Sequence, residues 1–240
     1  GTQLDAALLP RWAVDGGARA LLTRLDDAAT MARIRAEMIS NLRRRGGAES
    51  LLLIAKGHAW TGGTLAQMAG DWRVDPIDAA LRIIRGGAEK DGNGASGAIA
   101  SFNMAQADVD LIMTQPWIVT SSDGSDGHPR MFPTFREKYA RYVRDRKVID
   151  LRTFVRQSTG RTADIYQLDR RGYLRPGYFA DIVLLDLARY APRADYLNPR
   201  ELSVGVKALF VNGTRAVTDD RVTGATAGRA LLRPRPANCP

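Results

Sequence analysis

Asp123 follows an apolar, β-branched run at 117–121 and opens the stretch Asp123-Gly124-Ser125-Asp126-Gly127-His128-Pro129-Arg130. In proteins that alternate strands and helices, reactive groups gather where strands end. The run is read as such a strand, with Asp123 at its exit. A carboxylate there can ligate a metal, or accept a proton from water and deliver it to a leaving amine. The same residue also suits an Asx turn before glycine, and spacing alone leaves both readings open. Asp126-Gly127 reads as a turn. Arg130 can grip a carboxylate through two parallel hydrogen bonds, and His128 can donate one; for both, a loop residue without chemistry is the competing reading.

The remaining reactive residues are few. His58 and His128 are the two histidines, so this chain cannot assemble a site of three or four imidazoles. His58 lies just past a strand-like run and reads as a surface or packing residue. The single Cys239 excludes a disulfide framework and a cysteine metal cluster. Gly92-Asn93-Gly94-Ala95-Ser96-Gly97 spells the dinucleotide fingerprint. It follows a helix and precedes a strand, the reverse of what phosphate binding requires, and is read as a loop.

The elements that position these groups are legible from periodicity. Leu21, Leu25, Met31, Ile34, Met38 and Leu42 recur at helical steps through 18–45. Asp26 or Asp27 can cap a break there, and Gly46-Gly47 ends it. A strand is expected at 51–55, helices near 64–70 and 76–86 (the latter capped by Asp75 with Pro76 in its first turn), and an apolar strand-like run at 98–102. Helices follow near 105–114 and 151–167. The alternation predicts parallel β/α units. From about 169 the pattern turns all-β, with strands at 181–185 and 206–211 and a hairpin signal at Asn212-Gly213. The expected division is a β/α domain over 1–168, a β-piece over 169–233 and a disordered tail over 234–240.

Among 240 residues, 35 basic side chains against 26 acidic ones give a net charge of +9. Such a field attracts nucleic acid or an acidic membrane. The arginines are scattered, however, with Arg43-Arg44-Arg45 the one run of three, so neither is an expected partner. No apolar run approaches the ~18 residues of a membrane span. The chain opens on Gly1-Thr2-Gln3 without a leader pattern, and a cytoplasmic location within a longer protein is the expectation. Three strands before residue 168 cannot close a barrel, which takes about 250 residues; the sheet pairs with further sequence or stays small and open.

Leu4, Ala7-Leu8-Leu9-Pro10, Trp12, Gly16-Gly17, Ser122-Asp123-Gly124 and His128-Pro129-Arg130 stand in an order that resembles the C-terminal half of the N-acyl-D-amino-acid deacylases, or D-aminoacylases, of the amidohydrolase superfamily. The match is densest in Arg171-Gly172-Tyr173-Leu174-Arg175-Pro176-Gly177-Tyr178-Phe179-Ala180-Asp181, and ends with Val211-Asn212-Gly213, Thr223-Gly224 and Gly228-Arg229. The resemblance implies an α/β fold: the C-terminal part of a metal-dependent (β/α)8 barrel, incomplete in this chain, with a small β-sandwich segment. It implies hydrolysis of the amide of N-acyl-D-amino acids or related linear amides. Asp123 would be the general base beside zinc and a possible metal ligand, with Arg130 and His128 binding the substrate carboxylate. The metal-binding histidines and cysteine of the resembled enzymes lie upstream of the matching region. Zinc is therefore expected in the complete enzyme and not in this chain alone, which is expected to be inactive without its N-terminal half. Pro133 stands where those enzymes carry glycine. Two other classes stay open: a non-catalytic assembly half, and a basic nucleic-acid-binding domain using the helix at 31–45.

Overall fold

Helix formation at the N-terminal end begins with a cap. Asp27 accepts a hydrogen bond from the Thr30 amide at 2.8 Å. Hydrogen bonding by the Thr30 side chain and then by its amide holds the Asp27 carboxyl below the usual range, and the residue separates α3 (Gly17–Asp26) from α4 (Ala28–Arg44). Ile34 and Met38, four residues apart on α4, are fully buried, as are Leu4 and Leu8 of α1 (Leu4–Leu8). The computed structural model describes residues 2–91, 97–124 and 128–232. The fingerprint-like loop over 92–96, the Asp126-Gly127 pair and the tail over 234–240 lie outside the described residues.

The chain divides into two compact units, 1–105 and 106–240. In the first, β1 (Thr2–Gln3), α1, α2 (Arg11–Val14), α3 and α4 lead to β2 (Leu51–Leu53). Then come α5 (Leu65–Trp72), α6 (Pro76–Asp91) and β3 (Ala98–Ser101). Thr64 and Gln67 form a reciprocal capping box on α5, and Asp75 accepts from the Ile77 amide at the start of α6. Leu51, Leu53, Leu65 and Ile99 are fully buried in one core with Ile34 and Met38. Burying each such side chain contributes about 1.5–3 kcal/mol.

Strand direction differs from expectation. The sheet has the order β1-β3-β2, and both pairings are antiparallel, with Leu53 opposite Ile99. Two helices, not one, separate β2 from β3, and only residues 73–75 join them. A helix pair on so short a connection doubles back, so the next strand starts from the end where the last one finished. A single crossover helix would have produced a parallel pair.

The second unit holds α7 (Gln106–Met113), a 3₁₀ turn at Pro129–Met131, and α8 (Thr134–Lys138), which continues as a π-helical turn over Tyr139–Asp145. The helix expected at 151–167 is two helices, α9 (Leu151–Ser158) and α10 (Gly160–Tyr166). They break at Thr159, whose backbone leaves the helical region at φ −134°, ψ −95°. β4 (Ile182–Leu185), β5 (Val206–Val211), β6 (Thr214–Thr218) and β7 (Arg221–Val222) form an antiparallel meander. Asn212 and Gly213, at φ 51° and 83°, make the β5–β6 turn with two left-handed residues. This is the turn that matches strand twist and that Asn-Gly favours. Tyr139, Ile149, Phe154, Tyr190 and Val206 form the core of this unit.

Residues 117–121 are not a strand. A β-branched run becomes a strand only where another strand offers it a ladder. Here the Thr120 amide bonds the Gln157 carbonyl at the end of α9 instead, at 3.1 Å. Asp123 therefore leaves an irregular segment pinned to a helix, rather than a sheet.

Candidate functional site

The segment after Thr120 turns sharply at Asp123, which adopts a left-handed backbone at φ 44°. Aspartate tolerates that region better than most residues because its short side chain can bond locally. The Asp123 side chain is 83% exposed, so its carboxylate faces solvent rather than the core. Gly124 passes close to Met131; a β-carbon on it would stand 3.4 Å from the Met131 Cα.

The chain returns through His128, which caps the 3₁₀ turn: its Nδ1 accepts from the Arg130 amide at 3.2 Å. That bond orients the ring and leaves the imidazole proton on Nε2, where it is available as a donor. The ring stands edge-on to Tyr196, with centroids 5.3 Å apart. Burial, reinforced by the Arg130 charge and opposed by Asp123, pushes the His128 pKa down to about 4. The imidazole is thus neutral at pH 7, which the acceptor role of Nδ1 requires.

Arg130 reaches back across the loop. Its Nε donates to the Asp123 carbonyl at 2.6 Å and its Nη2 meets Asp123 Oδ2 at 2.8 Å. Thr134 Oγ1, one helical turn on, donates to the Arg130 carbonyl at 2.5 Å. Asp123, His128 and Arg130, the residues to which the family resemblance assigns roles, are thus in contact with one another. The Nε–Nη2 edge of the arginine is turned onto Asp123, whose carboxylate is otherwise exposed. His58 lies in the other unit and stacks on Trp60 at 4.2 Å, a packing arrangement.

A buried polar cluster lies behind this loop. Lys138, at 8% exposure, donates to Thr120 Oγ1 at 2.8 Å and Gln157 Oε1 at 2.7 Å. Gln157 Nε2 donates to the Met113 carbonyl at 3.0 Å, and Thr120 Oγ1 lies 3.1 Å from Ser158 Oγ. Burial lowers the Lys138 pKa to about 8. Sequence reading passed over this lysine because the α-helical face containing it stops at Lys138. The π-helical turn from Tyr139 changes the register, so no 3.6-residue stripe marks the position as interior.

Among the described residues, no three His, Cys, Asp or Glu side chains are grouped to hold a metal ion. Asp123 Oδ2 and His128 Nδ1 both face Arg130 groups. The described residues do not fit a zinc site by themselves, and any metal ligation by Asp123 needs companions from elsewhere.

Residues 2–217 match the family profile described as the Amidohydrolase family. An N-acyl-D-aspartate deacylase of Alcaligenes xylosoxydans xylosoxydans is 33% identical over 197 residues, covering 80% of this chain and 37% of the relative. The D-aminoacylase of the same organism is 37% identical over 136 residues, 55% of this chain and 28% of that protein. Among solved structures, an N-acyl-D-glutamate deacylase of Bordetella bronchiseptica, complexed with zinc and a phosphonate mimic of the tetrahedral intermediate, superposes with a TM-score of 0.61 at 25% identity. It covers 86% of this chain and 46% of the other. The chain thus spans between about a quarter and a half of the length of these relatives.

Proposed function

The chain belongs to the amidohydrolase family, and from that premise we propose that it supplies the C-terminal, proton-transferring part of a zinc-dependent hydrolase of N-acyl-D-amino acids or related linear amides. The observation that carries this reading is the Asp123–Arg130 pair: an exposed carboxylate and a guanidinium fork on one loop, 2.8 Å apart. An amide substrate of this class offers a scissile carbonyl to water and a free carboxylate to an arginine.

In the proposed reaction Asp123 accepts a proton from the attacking water. It then gives that proton to the departing nitrogen as the C–N bond breaks, releasing the carboxylic acid and the amino acid. Arg130 turns from Asp123 to the substrate carboxylate, which it can bind through two parallel N–H groups. Neutral His128 holds the Arg130 amide and offers Nε2–H to the same carboxylate. Zinc belongs to the complete enzyme in this reading, and its ligands come from the N-terminal half that is the proposed partner. No helix of the described residues is long and apolar enough to cross a membrane. Arginines of α4 are engaged within their own unit: Arg35 with Asp75 and Asp78, and Arg33 with Glu37 and the Trp12 ring.

One observation favours a second reading, an assembly half without catalysis. An apolar cleft of about 650 Å³ opens between α8, α9 and the β4–β7 sheet, lined by Phe132, Phe135, Phe154, Tyr190, Leu209 and Val217. Val183, Leu202 and Val222 on its wall are more than 40% exposed, a surface suited to burial by another segment.

One assay separates the readings. With zinc added, the chain alone is expected to release no D-amino acid from N-acetyl-D-aspartate, N-acetyl-D-glutamate or N-acetyl-D-leucine. Adding the metal-bearing half is expected to produce turnover. Turnover by the chain alone overturns the division of labour; a stable but inactive complex favours the assembly reading.

A further inference from the structure

We propose that Lys138 is a positioning residue whose ammonium ties the segment entering Asp123 to the end of α9. The inference rests on Asp123 being the base and adds what sets its place. The segment forms no ladder with any described strand, so something other than a sheet must fix it. Its attachments converge on one point. The Thr120 amide bonds the Gln157 carbonyl, Thr120 Oγ1 meets Ser158 Oγ, and Lys138 Nζ donates to both Thr120 Oγ1 and Gln157 Oε1. Gln157 Nε2 fastens the start of the same segment at the Met113 carbonyl. Gln157 is 1% exposed and Lys138 8%, so the bond between them is buried, while Thr120 and Ser158 at the edge of the cluster are partly exposed. The buried bond is the one strengthened by its low-dielectric surroundings.

A buried ammonium with two neutral acceptors is a poor stabiliser. No carboxylate among the described residues offsets its charge, and burial alone brings its pKa to about 8. An apolar side chain of equal length would remove that desolvation cost. What such a side chain could not do is donate to Thr120 and Gln157 at once. Lys138 therefore supplies definition of one conformation at a point three residues ahead of Asp123.

The test is amide hydrogen exchange of this chain and of Lys138→Met, followed at 118–124 and at Val206–Val211 of β5. The expected result is at least tenfold faster exchange at 118–124, with β5 unchanged or slower. No local acceleration overturns the proposal. Equal acceleration in both places overturns it too, since that reports general destabilisation. A Lys138→Met chain that fails to fold also contradicts it, because the tie is argued to give definition and not net stability. Thr120→Val, which removes the acceptor and leaves the lysine, is expected to accelerate the same local amides; unchanged exchange there counts against the tie. Asp123→Asn is expected to leave the Thr120 amide unaffected. An Asp123→Asn enzyme that stays active while Lys138→Met speeds exchange at 118–124 overturns the base and leaves the tie standing. An inactive Asp123→Asn enzyme with unchanged exchange in Lys138→Met overturns the tie and leaves the base standing.

Discussion

Replacing Asp123 by Asn in the zinc-loaded, complete enzyme is expected to lower kcat by about 10²–10⁴-fold, the usual range for loss of a positioned general base, with KM little changed. The substitution keeps the shape of the side chain, and the Arg130 Nε bond runs to the Asp123 carbonyl of the backbone, which is retained. The loop geometry therefore persists while the amide can no longer take a proton. An effect on kcat without KM is the signature of an interaction made in the transition state. Steady-state kinetics on an N-acyl-D-amino acid measure it. A loss under tenfold, or a loss confined to KM, would remove Asp123 from the proton path and return it to the Asx-turn reading.

The second large effect falls on stability. Arg171→Ala is expected to destabilise the second unit by about 2–4 kcal/mol. Arg171 is 9% exposed, pairs with Asp181, donates to Asn212 Oδ1 at 2.6 Å and lies 4.3 Å from the Phe179 ring centre. Asp181 also accepts from the Asn212 amide at 2.8 Å, and Asn212 Nδ2 donates to the Ala227 carbonyl at 2.6 Å. Breaking a fully buried pair costs about 3–5 kcal/mol; the one-third exposure of the Asp181 side chain reduces that range. A melting temperature roughly 10 °C lower follows for a unit of this size. Lysine is not expected to rescue it, because one ammonium cannot reproduce the two-sided fork. A variant that melts like the parent chain would contradict the arrangement.

This network explains why the densest family resemblance lies far in sequence from the candidate base. The stretch from Arg171 to Asp181 fastens a loop to the β5–β6 turn, with Gly172 at φ 81° packed so tightly that a β-carbon would sit 2.5 Å from that of Ala163. Its residue types answer to packing and charge pairing. In the proposed reaction the chemistry is assigned to the sparser Asp123 and His128-Pro129-Arg130.

The features legible in the sequence were those decided locally. The Asp27 cap, the Pro76 helix start and the Asn212-Gly213 turn each depend on a few adjacent residues, and each was anticipated to within a few positions. What escaped depends on distant partners. Whether 117–121 forms a strand depends on a neighbour to pair with, and Thr120 found Gln157 instead. The direction of β3 follows from how α5 and α6 fold back on each other, which periodicity does not encode. Asp123, His128 and Arg130 could be grouped from the sequence because they stand within eight residues, and the contacts among them are local. Lys138 was not, because its partners Thr120 and Gln157 are 18 and 19 residues away on either side.

The most direct test of the account is the zinc content of the purified chain after dialysis against the metal and then against buffer, read by mass spectrometry. The account predicts far less than one ion per chain, since the described residues place no three ligating side chains together. One tightly held zinc per chain would contradict it, because this chain would then carry its own metal centre and would not depend on an N-terminal half to supply one.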